Sequence, residues 1–317
     1  MDVTDEVIEP LRSLELAFIA RRYYLEGRTK VQIADELSIS RFRVARLLDD
    51  AREAGIVKIE IATPSLIDTD LSFELERRFG LDRAVVATVN ELSVDSVRLA
   101  VARLAAALLP EVLTDADVVG IGWGRTLHDL ISHLPPLPPC TTVQIVGGMP
   151  EVELWMNSVD LVRRFAERTG GPMHTFLLPY LVNDGAVAKG LQADPSFVRA
   201  RGWFSELSLV IAAIGSWDPP QSGLFDLLAD AERDEIRSAG VVADIFGTLI
   251  DESGSVVASP VASRSTGIDP EQLRAVPSVI GVAAGAAKTQ AVGAALESGL
   301  LSALVTDAGV ARALLDL

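Results

Sequence analysis

Residues 118–134 read VVGIGWGRTLHDLISHL, and their pattern decides the fold. A short apolar run, Val118-Val119-Gly120-Ile121, turns through Gly122 and Gly124 into a segment that reads as a helix from Leu127 to Leu134. A strand that passes through glycines into a helix is one βα unit. The same alternation extends in both directions. Apolar runs at 84–89, 118–123, 142–146, 175–178, 207–214, 241–245, 279–283 and 303–306 read as strands. Helical patterns at 94–109, 154–169, 195–206, 227–239, 287–298 and 308–316 lie between most of them. Such alternation predicts an α/β domain with a mainly parallel sheet covered on both faces.

The alternation begins only after a break at Ala62-Thr63-Pro64-Ser65, which predicts two domains, residues 1–61 and 62–317. The first reads as three helices and a strand. Leu14, Leu16, Ile19, Ala20 and Tyr23 recur near helical spacing, and Gly27 stops that helix. Thr29 can cap a second helix carrying Ile33, Ala34 and Leu37. Ser40 can cap a third with Val44, Leu47, Leu48 and Ala51 on its buried face. Val57 to Ile61 alternates as a strand and is placed as a wing. Two short helices, a tight turn and a third helix make a (winged) helix-turn-helix. Opposite its core the third helix offers Arg41, Phe42, Arg43 and Arg46 near its N-terminus, where a recognition helix meets base edges. Thr29, Lys30 and Ser40 stand at the helix starts, suited to phosphate contacts. The same pattern also fits a plain helical hairpin with a solvated arginine face. Ser38 occupies the turn position that favours glycine.

Charge separates the two parts. The chain of 317 residues has 28 Lys and Arg against 44 Asp and Glu, for a formal net charge of −16. Residues 12–58 hold ten basic residues against seven acidic ones. A locally basic module on an acidic body points to nucleic acid at one end only. With 49% hydrophobic residues the chain can bury a large core, which excludes disorder as the dominant state. A single cysteine, Cys140, excludes a disulfide scaffold and fits a reducing, cytoplasmic compartment. The opening MDVTDEVIEPLRSLE is acidic and polar, unlike a secretory signal, and no apolar run nears the ~20 residues of a bilayer span. Three histidines and one cysteine leave little for a metal site, and none is expected, nor any cofactor.

The second domain offers ligand chemistry at its strand ends. Gly122, Trp123, Gly124, Arg125 and Thr126 form a glycine turn into a helix N-terminus, which serves equally as a tight connection or an anion cradle. Gly147 and Gly148 end the next strand. In an open α/β sheet, ligands sit beyond the carboxyl ends of the strands, so both loops are expected to line one crevice. Lys288 is one of only four lysines and stands at a helix start. Asp244 lies among apolar residues at another strand end. Each reads as a ligand for sugar hydroxyls or phosphate, or as a structural residue.

These residues carry a resemblance. The stretch ISRFRVARLLDDAREAGIVKIEI, then GIGWGRTL, VGG, RRFAERTGG, DIFGTLIDESG and the block from GIDPEQLRAVPSVIG to LLSALVTD resemble, in order, the SorC-type (DeoR-related) sugar-binding transcriptional regulators over nearly the whole chain. The resemblance implies an effector domain with a sugar-phosphate isomerase-like fold whose catalysis is lost and whose pocket is kept. It implies a phosphate end at Gly122, Gly124, Arg125 and Thr126 with Gly147 and Gly148 nearby, and a sugar end at Asp244 and Lys288. It also implies operator DNA as partner and a homotetramer or dimer. Phe42 stands where the family often has Pro, Ala243 where it often has Gly, and Ala284 where it often has the first Gly of a pair. The expectation is therefore a regulator of carbohydrate metabolism, controlled by a sugar, polyol or sugar phosphate and not itself an enzyme. The alternative is a sugar-phosphate isomerase or deaminase with an accessory helical domain.

Overall fold

The computed structural model describes residues 10–58, 66–89, 93–149 and 157–316. The chain divides into two compact units, Met1–Ala62 and Thr63–Leu317.

In the first unit, α1 (Pro10–Tyr24), α2 (Lys30–Leu37) and α3 (Arg41–Glu53) enclose a core of Leu16, Ile19, Ile33, Val44, Leu47 and Ala51. Local chemistry sets the boundaries. The Thr29 hydroxyl accepts from the Gln32 N–H, while the Gln32 side chain accepts from the Thr29 N–H, a reciprocal cap for α2. Ser40 caps α3 by accepting from the Arg43 N–H. Between the two helices Ser38 adopts φ 52°, ψ 40°, a left-handed conformation that favours glycine. The wing expected at 57–61 lies mostly outside the described residues.

The second unit is built on a seven-stranded sheet. Its strands are β1 (Arg83–Ala87), β2 (Val118–Ile121), β3 (Thr141–Gln144), β4 (Met173–His174), β5 (Leu209–Ala213), β9 (Ser278–Val282) and β10 (Ala303–Asp307), counted with β6 (Gly215–Ser216), β7 (Val241–Ile245) and β8 (Thr248–Asp251) of a second sheet. The order is β1-β10-β9-β5-β2-β3-β4, and every pair is parallel. Burial along β1, β2, β5 and β10 is nearly continuous, as in a sheet covered on both faces. Flanking helices include α4 (Thr69–Phe79), α5 (Val94–Val112), α6 (Arg125–Ser132), α7 (Ser158–Thr169), α13 (Thr289–Glu297) and α14 (Ala308–Leu315), with the short α8 (Gly185–Gln192) and α12 (Pro270–Arg274) in the connections before β5 and β9.

Three departures from the sequence reading have physical causes. The strand expected at 175–178 is β4, two residues earlier. Phe176 leaves the sheet to bury its ring against Phe197, centroids 4.9 Å apart, and its N–H goes to Gln144 Oε1 at 3.0 Å. The helix expected at 195–206 is interrupted, being α9 (Pro195–Arg201) followed by a 3₁₀ turn at Phe204–Glu206, and the helix expected at 227–239 is α11 (Asp230–Ser238), which starts later because an extended Leu228 parts it from α10 (Gly223–Leu227). Finally, β6, β7 and β8 form a separate antiparallel sheet, so Asp244 belongs to a small second sheet and not to the main one.

The left-handed Ser38 yields a testable consequence. Ser38→Gly should stabilise the N-terminal unit by about 0.5–1 kcal/mol, since glycine adopts this conformation without a Cβ penalty. A thermal unfolding midpoint of that unit that stays the same or falls would show that the serine is not strained.

Candidate functional site

A sheet whose order runs outward from the middle in both directions leaves a crevice where the direction reverses. Here β2 neighbours β3 on one side and β5 on the other, and their carboxyl ends open onto a cavity of about 410 Å³. Trp123, Gly124, Arg125 and Thr126 line it from the end of β2. Ala213, Ile214 and Gly215 line it from the end of β5, Ala284 and Lys288 from beyond β9, and Asp244 and Phe246 from the β7–β8 hairpin.

Gly124 is the N-cap of α6, with φ 144° and ψ 147°, a region essentially reserved for glycine; a Cβ there would also stand 3.1 Å from Ala213 Cβ. It supplies no side-chain cap, so the α6 N-terminus faces the cavity with only backbone donors. Arg125 is exposed on the first turn and makes no ion pair with any described residue. Thr126 is buried. Gly122 plays a different part from the one expected. It is buried under the Phe246 ring, whose Cε1 would lie 2.3 Å from an added Cβ, so this glycine serves packing.

Asp244 is only 2% exposed. Burial pushes its carboxyl up from the usual range, opposed by the Ser222 hydroxyl, the Gly247 N–H and the charge of Lys288. The Gly247 N–H reaches Oδ2 at 3.4 Å. Ser222 and Trp217 lie near enough to favour the charged form, yet Oδ1 has no partner of hydrogen-bonding geometry, and neither has Trp123 Nε1. Two unpartnered buried polar atoms on residues lining one cavity are an exception to the rule that buried polar groups are paired. Lys288 donates to the Ile214 carbonyl at 2.6 Å. Burial lowers its ammonium to about 8. Asp244 opposes that shift, while Arg125 and Arg98 add to it.

The cavity brings together five of the expected residues directly on its wall besides Gly124: Trp123, Arg125, Thr126, Asp244 and Lys288. Gly147 and Gly148 are not among the lining residues, a correction to the sequence reading at those two positions, although Met149 of the same loop is. Their backbones are spent on chain pairing: the Gly147 N–H donates to the Thr266 carbonyl, the Gly148 N–H to Leu178, and the Gly148 carbonyl accepts from Tyr180. A Cβ on Gly147 would stand 2.4 Å from Thr266 Oγ1. The sequence reading missed Arg98 and Phe246. Arg98 reaches the cavity from α5 while paired to Asp129 at 2.8 Å.

On the first unit, Arg41, Phe42, Arg43 and Arg46 are all exposed along one side of α3, with Phe42 at 72% and the Arg41 guanidinium over its ring at 4.9 Å. Of the unit's arginines, Arg12, Arg21, Arg22 and Arg52 pair with Asp50, Glu26 and Asp49, whereas Arg28 and the three on α3, Arg41, Arg43 and Arg46, make no ion pair with any described residue. Lys30 is exposed beside the Tyr23 ring, while the Thr29 and Ser40 hydroxyls are engaged as caps.

These features define a class: an open α/β domain with a polar cavity where its strand order reverses, preceded by a three-helix unit. Residues 65–316 match the family described as "Putative sugar-binding domain", and the chain belongs to that family of SorC/DeoR-type transcriptional regulators. It is similar to the sorbitol operon regulator of Klebsiella pneumoniae, with 28% identity over 302 residues, 94% of this chain and 96% of the relative. The full-length crystal structure of that regulator matches with a TM-score of 0.75 over 96% of this chain and 99% of the other. The deoxyribonucleoside regulator of Bacillus subtilis (strain 168) is 27% identical over 300 residues, 94% of this chain and 96% of the relative. A DeoR family transcriptional regulator from Listeria monocytogenes, 22% identical, shares the fold at a TM-score of 0.71 over 78% of this chain and 98% of the other. Among the described residues no helix is long and apolar enough to cross a membrane.

The lowered Lys288 ammonium has a defined stability signature. Its native value, about 8, lies below the ordinary 10.5, so between these pH values the unfolded chain holds a proton the native state has released. Stability attributable to this group therefore rises with pH across that window. The increment is on the order of 1–3 kcal/mol, toward the lower figure for a half-buried side chain. The difference in unfolding free energy between wild type and Lys288→Met, followed from pH 7 to 10.5, should carry this slope; a flat difference would place Lys288 in solvent.

Proposed function

We propose that the chain is a transcriptional regulator of carbohydrate metabolism whose operator binding is set by a sugar, polyol or sugar phosphate held in the 410 Å³ cavity. The observation that carries this reading is the chemistry gathered at the strand-order reversal. A helix N-terminus with Arg125 and Thr126 suits an anion. Asp244, with an unpartnered oxygen, and Lys288 suit hydroxyls on the same small molecule. The curated relatives being transcriptional regulators supports it further.

In this reading residues 1–61 are the DNA-binding domain, a helix-turn-helix whose Arg41, Phe42, Arg43 and Arg46 meet the operator, with Lys30 and the helix starts at Thr29 and Ser40 against phosphates. Residues 62–317 bind the effector and assemble the homotetramer or dimer. Several copies of a weakly basic unit on one operator supply the avidity that a chain of net charge −16 needs. The cavity acts as a sensor and turns over no substrate, and the protein works in the cytoplasm, where its operator is. Its cavity lining includes no histidine; His128 is turned to Asp129 and Ser132 on α6.

Effector classes can be found by a thermal-shift screen of sugars, polyols and their phosphates, since a ligand at 100 times its Kd adds about 2.7 kcal/mol. Arg43→Ala or Arg46→Ala should weaken operator binding by about tenfold or more with unfolding unchanged. Equal affinity at fixed salt would remove them from the interface. Lys288→Ala and Gly124→Val should bind operator normally but lose release by the effector found in the screen. Release at the wild-type effector concentration in both would place the effector elsewhere.

A further inference from the structure

Beyond one wall of the cavity lies a second, of about 210 Å³, with Gln192, Arg201, Ser259 and Asp269 among its lining residues. Phe246 is the residue common to both linings. Its ring is edge-on to Trp123, centroids 6.5 Å apart, and Trp123 is edge-on to Tyr180 at 5.4 Å. Trp123 faces the first cavity and Tyr180 the second. Three rings in edge-on contact thus stand at the boundary the two cavities share, and we read them as a partition.

The partition is held at a conformational cost. Phe246 and Gly247 form the two-residue connection between β7 and β8, at φ 51° and 83°. Positive φ at both positions is the turn that Asn-Gly or Gly-Gly fills easily, and an aromatic residue at its first position is an outlier. The Tyr180 hydroxyl donates to the Phe246 carbonyl at 3.2 Å, and the Gly247 N–H donates to Asp244. The turn that positions the carboxylate therefore also sets the ring against Gly122, where a Cβ would leave it no room. A side chain kept at an unfavourable backbone angle by its surroundings points to a use for that side chain.

We propose that Phe246 determines ligand length: its ring closes the effector cavity at the size of one sugar unit and shuts off a polar cavity half as large, able to take part of a second. This rests on the reading of the first cavity as the effector site. The test compares wild type, Phe246→Gly, Phe246→Leu and Lys288→Ala by calorimetric titration and thermal shift. Short probes are sorbitol, sorbitol 6-phosphate and glucose 6-phosphate; long probes are maltitol and trehalose 6-phosphate. Glycine removes the ring and suits the backbone angle. Leucine keeps most of the apolar bulk and carries the test should the glycine variant not fold. The expected result is that wild type binds a short probe and rejects its long counterpart, Phe246→Gly gains at least tenfold for the long one, and Phe246→Leu gains less. A folded Phe246→Gly that keeps the short probe and still rejects the long one overturns the partition and leaves the effector site standing, as does a wild type that takes both equally. If Lys288→Ala binds the short probe like wild type, or no probe binds any protein, the effector reading fails and this inference with it.

Discussion

A parallel sheet with helices on both faces must reverse its strand order somewhere, and the connections on either side of that point leave in opposite directions. In this protein the reversal lies between β2 and β5, with Val119, Gly120 and Ile121 paired to Leu209, Val210 and Ile211. Both strands end just short of glycines, Gly122 and Gly124 after β2 and Gly215 after β5. Gly215 admits the Asp244 carboxylate, whose Oδ1 would be 2.1 Å from a Cβ there. The second sheet is thereby joined to the first at the crevice: β6 follows β5 after a single residue, and pairs Gly215 with Asp244 across to β7. The Asp244 carboxylate and the Phe246 ring are thereby brought to the point where the strand order turns.

The electrostatics of the cavity are balanced. Asp244 is pushed toward its neutral form by burial, and Lys288 is pushed toward its neutral form by burial together with Arg125 and Arg98. The two stabilise each other's charged state, but the ammonium spends its hydrogen bond on the Ile214 carbonyl. An anion arriving near Arg125 would offset the arginine charges that help depress the Lys288 ammonium and raise it again, so its binding would be coupled to proton uptake near pH 8. A neutral polyol would lack that coupling.

Where the determinants are local, they were legible in the sequence. Thr29 and Ser40 at the starts of α2 and α3 and the glycine turn after β2 each encode their structure within a few residues. The βα alternation was legible because buried parallel strands are continuously apolar. Lys288 stood out by its rarity and Asp244 by its apolar setting. What the sequence concealed depends on distant contacts. A glycine pair looks the same whether it admits a ligand or a neighbouring strand, and Gly147 admits Thr266, over a hundred residues away. Nothing local marks Phe246 for a left-handed turn. β6 has two residues, too few for any periodicity, so the small sheet that carries Asp244 could not be seen.

The charge distribution bears on how a small molecule could govern binding to DNA in the proposed reading. The segment 12–58 is slightly basic, and the remainder of the chain carries more negative charge than the whole. Association with a polyanion is therefore a small difference between local attraction and overall repulsion, and it falls steeply with salt. A system so poised needs little to shift it. A ligand can move the equilibrium between two arrangements only by its difference in affinity for them, and coupling energies of about 1–3 kcal/mol suffice to change affinity 5- to 150-fold. Such a difference is within reach of a few hydrogen bonds made in one arrangement and unmade in the other. The buried, unpartnered oxygen of Asp244 and the Lys288 ammonium held by one carbonyl are groups whose bonds can change in that way without disturbing the core around them.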